Sequence, residues 1–323
     1  MWIQLVAAII IPLGLDLYMP VPEDNPLTAE KIELGRQLFA DRRLSRDQSI
    51  SCSTCHEPAH AFADARAIAI GVFGRTGTRN APALVNRGYG RAFFWDGRSP
   101  SLEEQVLKPI ENPNEMDLPV AEAAARVGLT ERDLSRALSS YVRSILSGDS
   151  PFDRFVNGDR TALSPEAQRG LQVFRGKGNC TACHVGPNFT DERTHNTGVA
   201  WRTGVLVDEG AGHGAFKTPT LREVARTAPY MHDGSLATLE DVVDLYDRGG
   251  HPNPHLDAEV RPGKFTPEEK AALVTFLRSL SGTMTTDRTA AVTRGYVDTA
   301  SLALTSRWSN VTRSAPREPA SQR

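Results

Sequence analysis

Two short cysteine motifs constrain this chain more than any other feature of its sequence. Residues 50–56 read ISCSTCH and residues 180–184 read CTACH, so each motif is C-x-x-C followed at once by a histidine. The chain has four cysteines, which leaves none for a structural disulfide outside the motifs. The four are Cys52, Cys55, Cys180 and Cys183.

Closely spaced cysteines serve three chemistries: a redox dithiol, a zinc site or covalent haem. A thioredoxin-like dithiol lies at a βαβ turn, and no parallel-sheet pattern surrounds either motif. Zinc sites with two C-x-x-C pairs usually separate the pairs by about 15–20 residues, whereas 124 residues lie between Cys55 and Cys180. Neither chemistry explains His56 and His184. Covalent haem does, because both thiols attach to the porphyrin and the next imidazole binds the iron, so the sequence predicts two c-type haems.

The segments that lead into the two motifs resemble each other. Residues 27–39 read LTAEKIELGRQLF, and residues 163–174 read LSPEAQRGLQVF. Each begins with a Thr or Ser that can cap a helix and has an acidic residue in the first turn. Each ends in an apolar pair ahead of its motif. This repeat predicts a duplication, with two cytochrome-like domains.

The predicted fold class is mainly α, with two cytochrome c-like haem domains and long irregular loops. Strand patterns are scarce, and glycine- and proline-rich loops run through 71–90, 185–219 and 247–264. A helix is also expected to begin near Thr238 and to stop at Gly249 and Gly250. Other helical patterns cover 101–109, 119–128, 131–146 and 266–280.

Composition leaves room for two such domains. A chain of 323 residues with 40% hydrophobic residues can bury two cores. Its net charge of −2 provides no basic footprint for nucleic acid. The first run, MWIQLVAAIIIPLGL, lacks a basic start and a clean cleavage site, and Asp16 ends it too early for a bilayer span. It predicts an export signal or short membrane anchor, with a docked N-terminal strand or helix as the alternative.

Four segments are therefore predicted along the chain. They are an export signal or anchor over 1–25, an N-terminal cytochrome c-like domain over 26–160, a C-terminal one over 161–283, and a polar, flexible tail over 284–323.

Two further stretches resemble the bacterial di-haem cytochrome c peroxidase/MauG family. They are FFWDGRSPSLEEQVLKPIENPNEM at 93–116 and TPTLREVARTAPYMHDGSLATLEDVVDLY at 218–246. The resemblance runs from about residue 26 to 280 and includes both haem motifs in order. It implies a periplasmic enzyme that reacts with hydrogen peroxide, and a calcium ion near the interface of the two domains.

The resemblance also implies roles for particular residues. The haem of Cys52, Cys55 and His56 matches the one that reacts with peroxide, and the haem of Cys180, Cys183 and His184 matches the electron-transfer one. A distal carboxylate can move a proton between the peroxide oxygens. The remaining matches are Glu115 as that acid–base residue, Gln105 beside it, Trp95 between the haems, and Asn80 with the carbonyls of Thr227 and Pro229 as calcium ligands.

Two departures from the family pattern favour its MauG-like branch. Conventional members hold a histidine over the first haem at rest, but residues 62–80 contain none, and His60 is too close to His56 to reach the opposite face. The first iron is therefore expected to be open. Tyr246 stands where the family's methionine ligand of the second haem falls. A packed core tyrosine is the alternative, as is ligation by His251, His255 or Met231.

These observations predict a MauG-like di-haem peroxidase. It would use hydrogen peroxide to form a high-valent state shared by both haems and oxidise a protein partner, including its tryptophan side chains. One alternative is a conventional peroxidase fed by a small cytochrome c or cupredoxin. Another, from a different class, is a non-catalytic di-haem electron-transfer cytochrome.

Overall fold

The computed structural model describes residues 8–284 and 289–290. Within this part of the chain the fold is mainly helical, as predicted, with long irregular loops between short elements. The helices are α1 Ala29–Phe39, α2 Cys52–Cys55, α3 Leu102–Gln105, α4 Lys108–Glu111, α5 Val120–Arg126, α6 Glu131–Ser144, α7 Pro151–Val156, α8 Pro165–Arg175, α9 Leu239–Asp247 and α10 Pro267–Arg278.

The strands are short, and they pair in four antiparallel couples. Each strand has two residues, so these pairs connect the loops only locally, and residues 8–284 and 289–290 form no extended sheet. The pairs are β1 Ala8–Ile9 with β8 Thr289–Ala290, β2 Ser147–Gly148 with β7 Thr283–Met284, β3 Thr194–His195 with β6 Phe216–Lys217, and β4 Trp201–Arg202 with β5 Val205–Leu206.

The caps predicted from sequence begin the two repeated helices. The side chain of Thr28 accepts a hydrogen bond from the amide of Lys31 at 3.2 Å, and that of Ser164 accepts one from Ala167 at 3.1 Å. Thr238 likewise caps α9, which ends before Gly249 and Gly250, as predicted.

One predicted helix is divided in the structure. The expected helix over 101–109 forms two separate turns, α3 and α4. Pro109 explains the break, because it has no amide hydrogen to donate to the carbonyl four residues earlier. The turn that follows α4 carries Glu115, so this break bears on the candidate site.

The same helix crossing occurs in both halves of the chain. Helix α1 packs on α6, and α8 packs on α10. Gly35 in α1 lies against the backbone of Ala137, and a Cβ there would overlap with its carbonyl. Gly170 makes the same close approach to Ala272 in the second half. The sequence repeat thus corresponds to a structural repeat, in which glycine lets two helix backbones approach.

Each half has its own hydrophobic core. The first is built from residues between Leu27 and Ile145, and includes Phe39 and Tyr141 from the α1–α6 crossing. The second is built from residues between Phe152 and Leu280. Phe152 lies in α7, so α7 packs with the second half.

The segment from residue 8 to 25 is part of the folded body. The carbonyl of Leu13 accepts a hydrogen bond from Asp149 at 2.8 Å, and that of Gly14 accepts one from Arg222 at 2.9 Å. No helix among the described residues combines the length and apolar composition needed to cross a bilayer. The export signal or anchor stays a prediction. The tail predicted over 284–323 lies outside the described residues, apart from Met284 and Thr289–Ala290.

Candidate functional site

A cavity of about 460 Å³ lies beside the first cysteine motif. Cys52, Cys55 and His56 line it, and so do residues of the second half from Lys217 to Met231. The cavity is therefore closed by both halves of the chain. Its other lining residues include four predicted site residues: Asn80, Trp95, Gln105 and Glu115.

The ring of His56 is oriented by a backbone hydrogen bond. Its Nδ1 donates to the carbonyl of Phe62 at 2.9 Å, so Nε2 is the ring nitrogen that would bind a metal. Burial lowers the pKa of His56, so the imidazole is neutral at physiological pH and its Nε2 lone pair is available. This arrangement suits an axial haem ligand.

The second motif repeats this arrangement. Nδ1 of His184 donates to the carbonyl of Phe189 at 2.8 Å, and burial lowers the pKa of this histidine too. Sequence places Phe62 six residues after His56 and Phe189 five residues after His184. Both imidazoles are therefore held by the chain that immediately follows their motif.

The four thiols are unpaired and difficult to ionise. Burial raises the pKa of Cys52 to about 12 and that of Cys55 to about 11. It raises the pKa of Cys180 to about 12 and that of Cys183 to about 11. Each pair of thiols stands directly before a histidine whose ring is oriented by a backbone hydrogen bond. Two thiols followed by one such imidazole are the groups that covalent haem requires, so the donors present fit it.

Glu115 lies in the turn after α4. Asn112 Nδ2 donates to its Oε1 at 2.6 Å, and no described residue donates to Oε2. Burial raises the pKa of this carboxyl, although Asn112 and Arg98 oppose the shift. A Cβ at Gly71 would overlap with the carbonyls of Asn114 and Glu115, so this glycine permits the close approach that positions the turn. The arrangement suits a carboxyl that accepts a proton more readily than an exposed glutamate does.

Histidine is scarce around the cavity. Among the described residues that line it, His56 is the only histidine. His60 is partly exposed and faces Glu57, with its Nε2 at 3.7 Å from Oε2. The side chain of Gln105 has no hydrogen-bond partner among the described residues.

Trp95 is held from both halves of the chain. Its indole Nε1 donates to the carbonyl of Asn80 at 2.8 Å, and its own carbonyl accepts from the amide of Lys217 at 2.7 Å. The Asn80 side chain donates to the carbonyls of Arg66 and Ala67. Trp95 therefore lies where the two halves meet.

The three predicted calcium ligands also line this cavity. Among the described residues, no hydrogen bond is made to the Oδ1 of Asn80 or to the carbonyls of Thr227 and Pro229. Three free oxygens of this kind are ligands that Ca²⁺ accepts. The described residues contain no cluster of three or more His, Cys, Asp or Glu that could bind a metal. The donors present thus fit a calcium site built from neutral oxygens.

Tyr246 lies in the last turn of α9, close to the second motif. Burial, together with the nearby Cys180 and Cys183, raises the pKa of its hydroxyl. No described residue hydrogen-bonds to this hydroxyl. A tyrosine with a free hydroxyl beside the second pair of cysteines could bind a haem iron there.

The sequence interpretation missed a charged cluster at the rim of the cavity. Lys217 and Arg87 both line the cavity, and Glu192 pairs with Arg87 at 2.8 Å. Lys217 is 8% exposed. A lysine in a glycine-rich loop is usually exposed, so no local signal distinguished it from a surface residue.

Comparison with known proteins gives a consistent picture. The profile of a family described as di-haem cytochrome c peroxidase matches residues 29–161, and that of cytochrome c matches residues 167–281. The methylamine utilization protein MauG of Methylorubrum extorquens is 40% identical over 289 residues, which cover 81% of each chain. Cytochrome-c peroxidase IdrP1 of Denitromonas iodatirespirans is 36% identical over 84% of this chain and 87% of its own.

A solved structure is also similar. It is described as a MauG-like protein associated with microbial copper homeostasis, and it superposes with a TM-score of 0.75 at 32% identity. The match covers 83% of this chain and 95% of that one.

Proposed function

Because this chain belongs to the di-haem cytochrome c peroxidase family, we propose that it is a MauG-like enzyme that uses hydrogen peroxide to oxidise a protein partner. The family makes the chain a haem oxidoreductase with two c-type haems. When bound, these haems supply the redox chemistry: reduction of peroxide and temporary storage of its two oxidising equivalents.

One observation carries the proposal. The cavity of the first motif combines an oriented His56 with Glu115 and Gln105, and no second histidine lines it among the described residues. A haem bound there through Cys52 and Cys55 would have one protein ligand, His56. This cavity would then admit peroxide without a prior reduction step, because no second histidine of the described residues lines it.

Glu115 moves the proton in this proposal. Its Oε1 is fixed by Asn112, which leaves Oε2 to accept a proton from bound peroxide and return it to the departing oxygen. Burial raises the pKa of the carboxyl above its ordinary value, which makes it a stronger base for the first of these transfers. Gln105 orients the peroxide with its amide.

Tyr246 and Trp95 connect this chemistry to the second haem. Tyr246 would hold the iron of the second haem together with His184, since its hydroxyl lies beside Cys180 and Cys183. A phenolate donor favours oxidised over reduced iron. The second haem would therefore hold an oxidising equivalent and would be a poor entry point for electrons. Trp95, held by both halves, provides the path between the haems.

The remaining features of the proposal come from the family. We place the enzyme in the periplasm and assign calcium to Asn80, Thr227 and Pro229. The partner is a redox protein, with tryptophan side chains as the groups oxidised. The names of two relatives connect them with methylamine utilization and copper homeostasis, and proteins of those processes are the first partners to examine.

An electron paramagnetic resonance spectrum of the oxidised protein tests the open site. We expect one high-spin signal, from the haem of His56, alongside one low-spin signal. Two low-spin signals would show that both irons have two protein ligands, and would favour a non-catalytic cytochrome. Mass spectrometry of candidate partners after peroxide treatment then tests the substrate. Added oxygen or a cross-link at tryptophan is the expected result.

A conventional cytochrome c peroxidase is the second candidate, and the similarity to a cytochrome-c peroxidase at 36% identity favours it. Steady-state turnover with a reduced small cytochrome c distinguishes the two. Rapid turnover without pre-reduction would favour this candidate. Slow turnover combined with oxidation of a partner's tryptophan would favour the MauG-like function.

A further inference from the structure

A buried cation at the rim of the first cavity has no role in the mechanism above. Lys217 is 8% exposed, and its side chain lines the cavity. Its Nζ makes one long hydrogen bond, 3.4 Å to the carbonyl of Thr218. An ammonium group has three donors and is costly to bury without acceptors. At least two of the three donors have no hydrogen-bond acceptor among the described residues.

The neighbouring charges do not neutralise this lysine. Glu192 accepts hydrogen bonds from both terminal nitrogens of Arg87, at 2.8 and 3.1 Å, and from the amide of Arg91. The Nζ of Lys217 lies 3.8 Å from Glu192, which is beyond hydrogen-bond distance. The next carboxylate, Asp191, is paired with His195 at 2.9 Å. Lys217, Arg87 and Glu192 together therefore carry one excess positive charge.

The cavity is where a haem would lie, and every haem carries two propionate carboxylates. The cysteines and the axial histidine engage the vinyl groups and the iron, so they leave both carboxylates without a partner. A propionate at the rim would supply the missing acceptors and cancel the excess charge. Charge-assisted hydrogen bonds of this kind are the stronger ones in proteins.

We propose that Lys217 binds a propionate of the haem in the first cavity, with Glu192 and Arg87 positioning the lysine at the rim. This assignment rests on the haem content of the proposed function and is independent of its peroxide chemistry. Lys217 would be a cofactor-binding residue contributed by the second half of the chain. The haem attached to the first half would then be fixed by both.

Redox titration of the holoprotein without peroxide tests this contact, and every protein compared carries Glu115→Gln, which removes a second titrating carboxyl from the cavity. With Lys217 present (the wild type of this comparison), the paired lysine and propionate keep their charges, so the midpoint potential of the first haem should not change with pH between 6 and 8. In Lys217→Met, the unpaired propionate titrates in this range, and the potential should fall as pH rises. At a pH where the propionate is ionised, we expect the equilibrium constant for reduction of the first haem to be about tenfold smaller in Lys217→Met than with Lys217 present. This corresponds to a midpoint potential about 59 mV lower for one electron.

Two variants provide the controls. Lys217→Arg retains the cation and should restore the wild-type potential and its insensitivity to pH. Lys264→Met removes an exposed lysine and should leave both unchanged.

The opposite pH behaviour would overturn the assignment. Without a propionate partner, burial and the Arg87 cation lower the pKa of Lys217 to about 7. The wild-type potential would then change near pH 7, and Lys217→Met would abolish that change. This wild-type measurement decides the question even if the variants do not fold. Equal potentials in the wild type and Lys217→Met at every pH would also overturn the assignment of Lys217 to a propionate.

The haem content is checked separately by the pyridine haemochrome assay. If this assay finds fewer than two haems per chain, the proposed function is overturned as well.

Discussion

Glu115 has the environment of an acid–base group, although most glutamates on helical turns are surface residues. Its carboxyl is withdrawn from solvent, one oxygen is fixed by Asn112 and the other is free. The position of this turn depends on Gly71, because a side chain at residue 71 would overlap with the backbone carbonyls of Asn114 and Glu115. The reactivity of Glu115 thus depends on a neighbour along the chain, Asn112, and on a residue distant in sequence, Gly71.

We expect Glu115→Gln to slow the reaction with peroxide by about 10²–10⁴ while both haems remain attached. Because burial raises the pKa of Glu115 above its ordinary value of 4.5, the wild-type rate should fall on acidification through that raised value. The glutamine variant should lack this dependence. Stopped-flow measurement of the haem absorbance between pH 4.5 and 8 checks both. Glu111→Gln, an exposed glutamate of α4, is the control, and an unchanged rate in Glu115→Gln would remove its role.

Tyr246→His should keep both haems but abolish the simultaneous response of the two irons to peroxide, because imidazole is a neutral ligand. The low-spin electron paramagnetic resonance signal should shift. Tyr89→Phe, which removes a hydroxyl bonded to the carbonyl of Asp16, should leave the signal as it is. If the signal of Tyr246→His equals that of the wild type, then Tyr246 is not a ligand.

At the scale of helices, the two halves are built by the same contact. The backbones of α1 and α6 approach at Gly35, and those of α8 and α10 approach at Gly170. Both crossings also contain an aromatic pair, Phe39 with Tyr141 and Phe174 with Phe276, with ring centroids 5.1 and 5.0 Å apart. Each crossing holds in place the helix that precedes a haem motif.

Alanine at Gly170 or Gly35 should therefore destabilise the protein. A methyl group there meets a backbone carbonyl that cannot move aside, and overpacking of this kind costs about 1–3 kcal/mol. This exceeds the gain of about 1 kcal/mol that alanine brings in a helix interior. Arg169→Ala, at an exposed position in α8, should change stability by less than about 0.5 kcal/mol. Thermal or denaturant unfolding measures the differences in stability. If the alanine variants at Gly35, Gly170 and Arg169 are equally stable, the close approach of the helix backbones at the two glycines is contradicted.

His195 should make stability depend on pH. Its Nδ1 lies 2.5 Å from Asp257 and its Nε2 lies 2.9 Å from Asp191, so the protonated ring links two loops. These contacts hold its pKa above 6.5 although burial opposes them. Its contribution is therefore complete below pH 6.5 and is lost as pH rises through the raised value. His195→Gln should cost about 1–3 kcal/mol at pH 6.

Unfolding measured at pH 6 and at pH 9 checks this expectation. The difference between wild type and His195→Gln should be smaller at pH 9. His60, which is partly exposed, offers the control His60→Gln, with little effect at either pH. A difference that grows with pH would contradict the charged link.

At the scale of the whole molecule, the two halves meet around the first cavity. Arg79 donates to both oxygens of Asp208 at 2.8 Å, and it also contacts Asp96, beside Trp95. The amide of Lys217 binds the carbonyl of Trp95. The path proposed between the haems is therefore built from contacts between the halves.

Removal of calcium should weaken this connection, because Asn80 provides both a proposed calcium ligand and the acceptor for the Trp95 indole. After chelation with EGTA, the first haem should still react with peroxide, but the response of the second should slow or disappear. Added Ca²⁺ should restore it, and Asn80→Ala should reproduce the loss. Unchanged absorbance kinetics after verified removal of calcium would contradict this site.

The sequence by itself determined the features that depend on neighbours along the chain. The haem motifs, the caps at Thr28, Ser164 and Thr238, and the repeated glycines all follow from the chemistry of a few adjacent residues. The helical class was therefore predictable, although the structure divides the helix predicted over 101–109 at Pro109 and adds the unpredicted α7. The candidate residues of the site came from the family resemblance, since a lone glutamate or tyrosine carries no local signal.

Only the tertiary structure decided which distant residues meet. Lys217 and Arg87 are 130 positions apart, yet both line one cavity. The residues from Lys217 to Met231 close the cavity of a motif in the other half of the chain. Such contacts depend on how the two hydrophobic cores pack together, and neither hydrophobic periodicity nor motif spacing in the sequence contains that information. The excess charge at the rim, and the propionate it would bind, became visible only once the chain was folded.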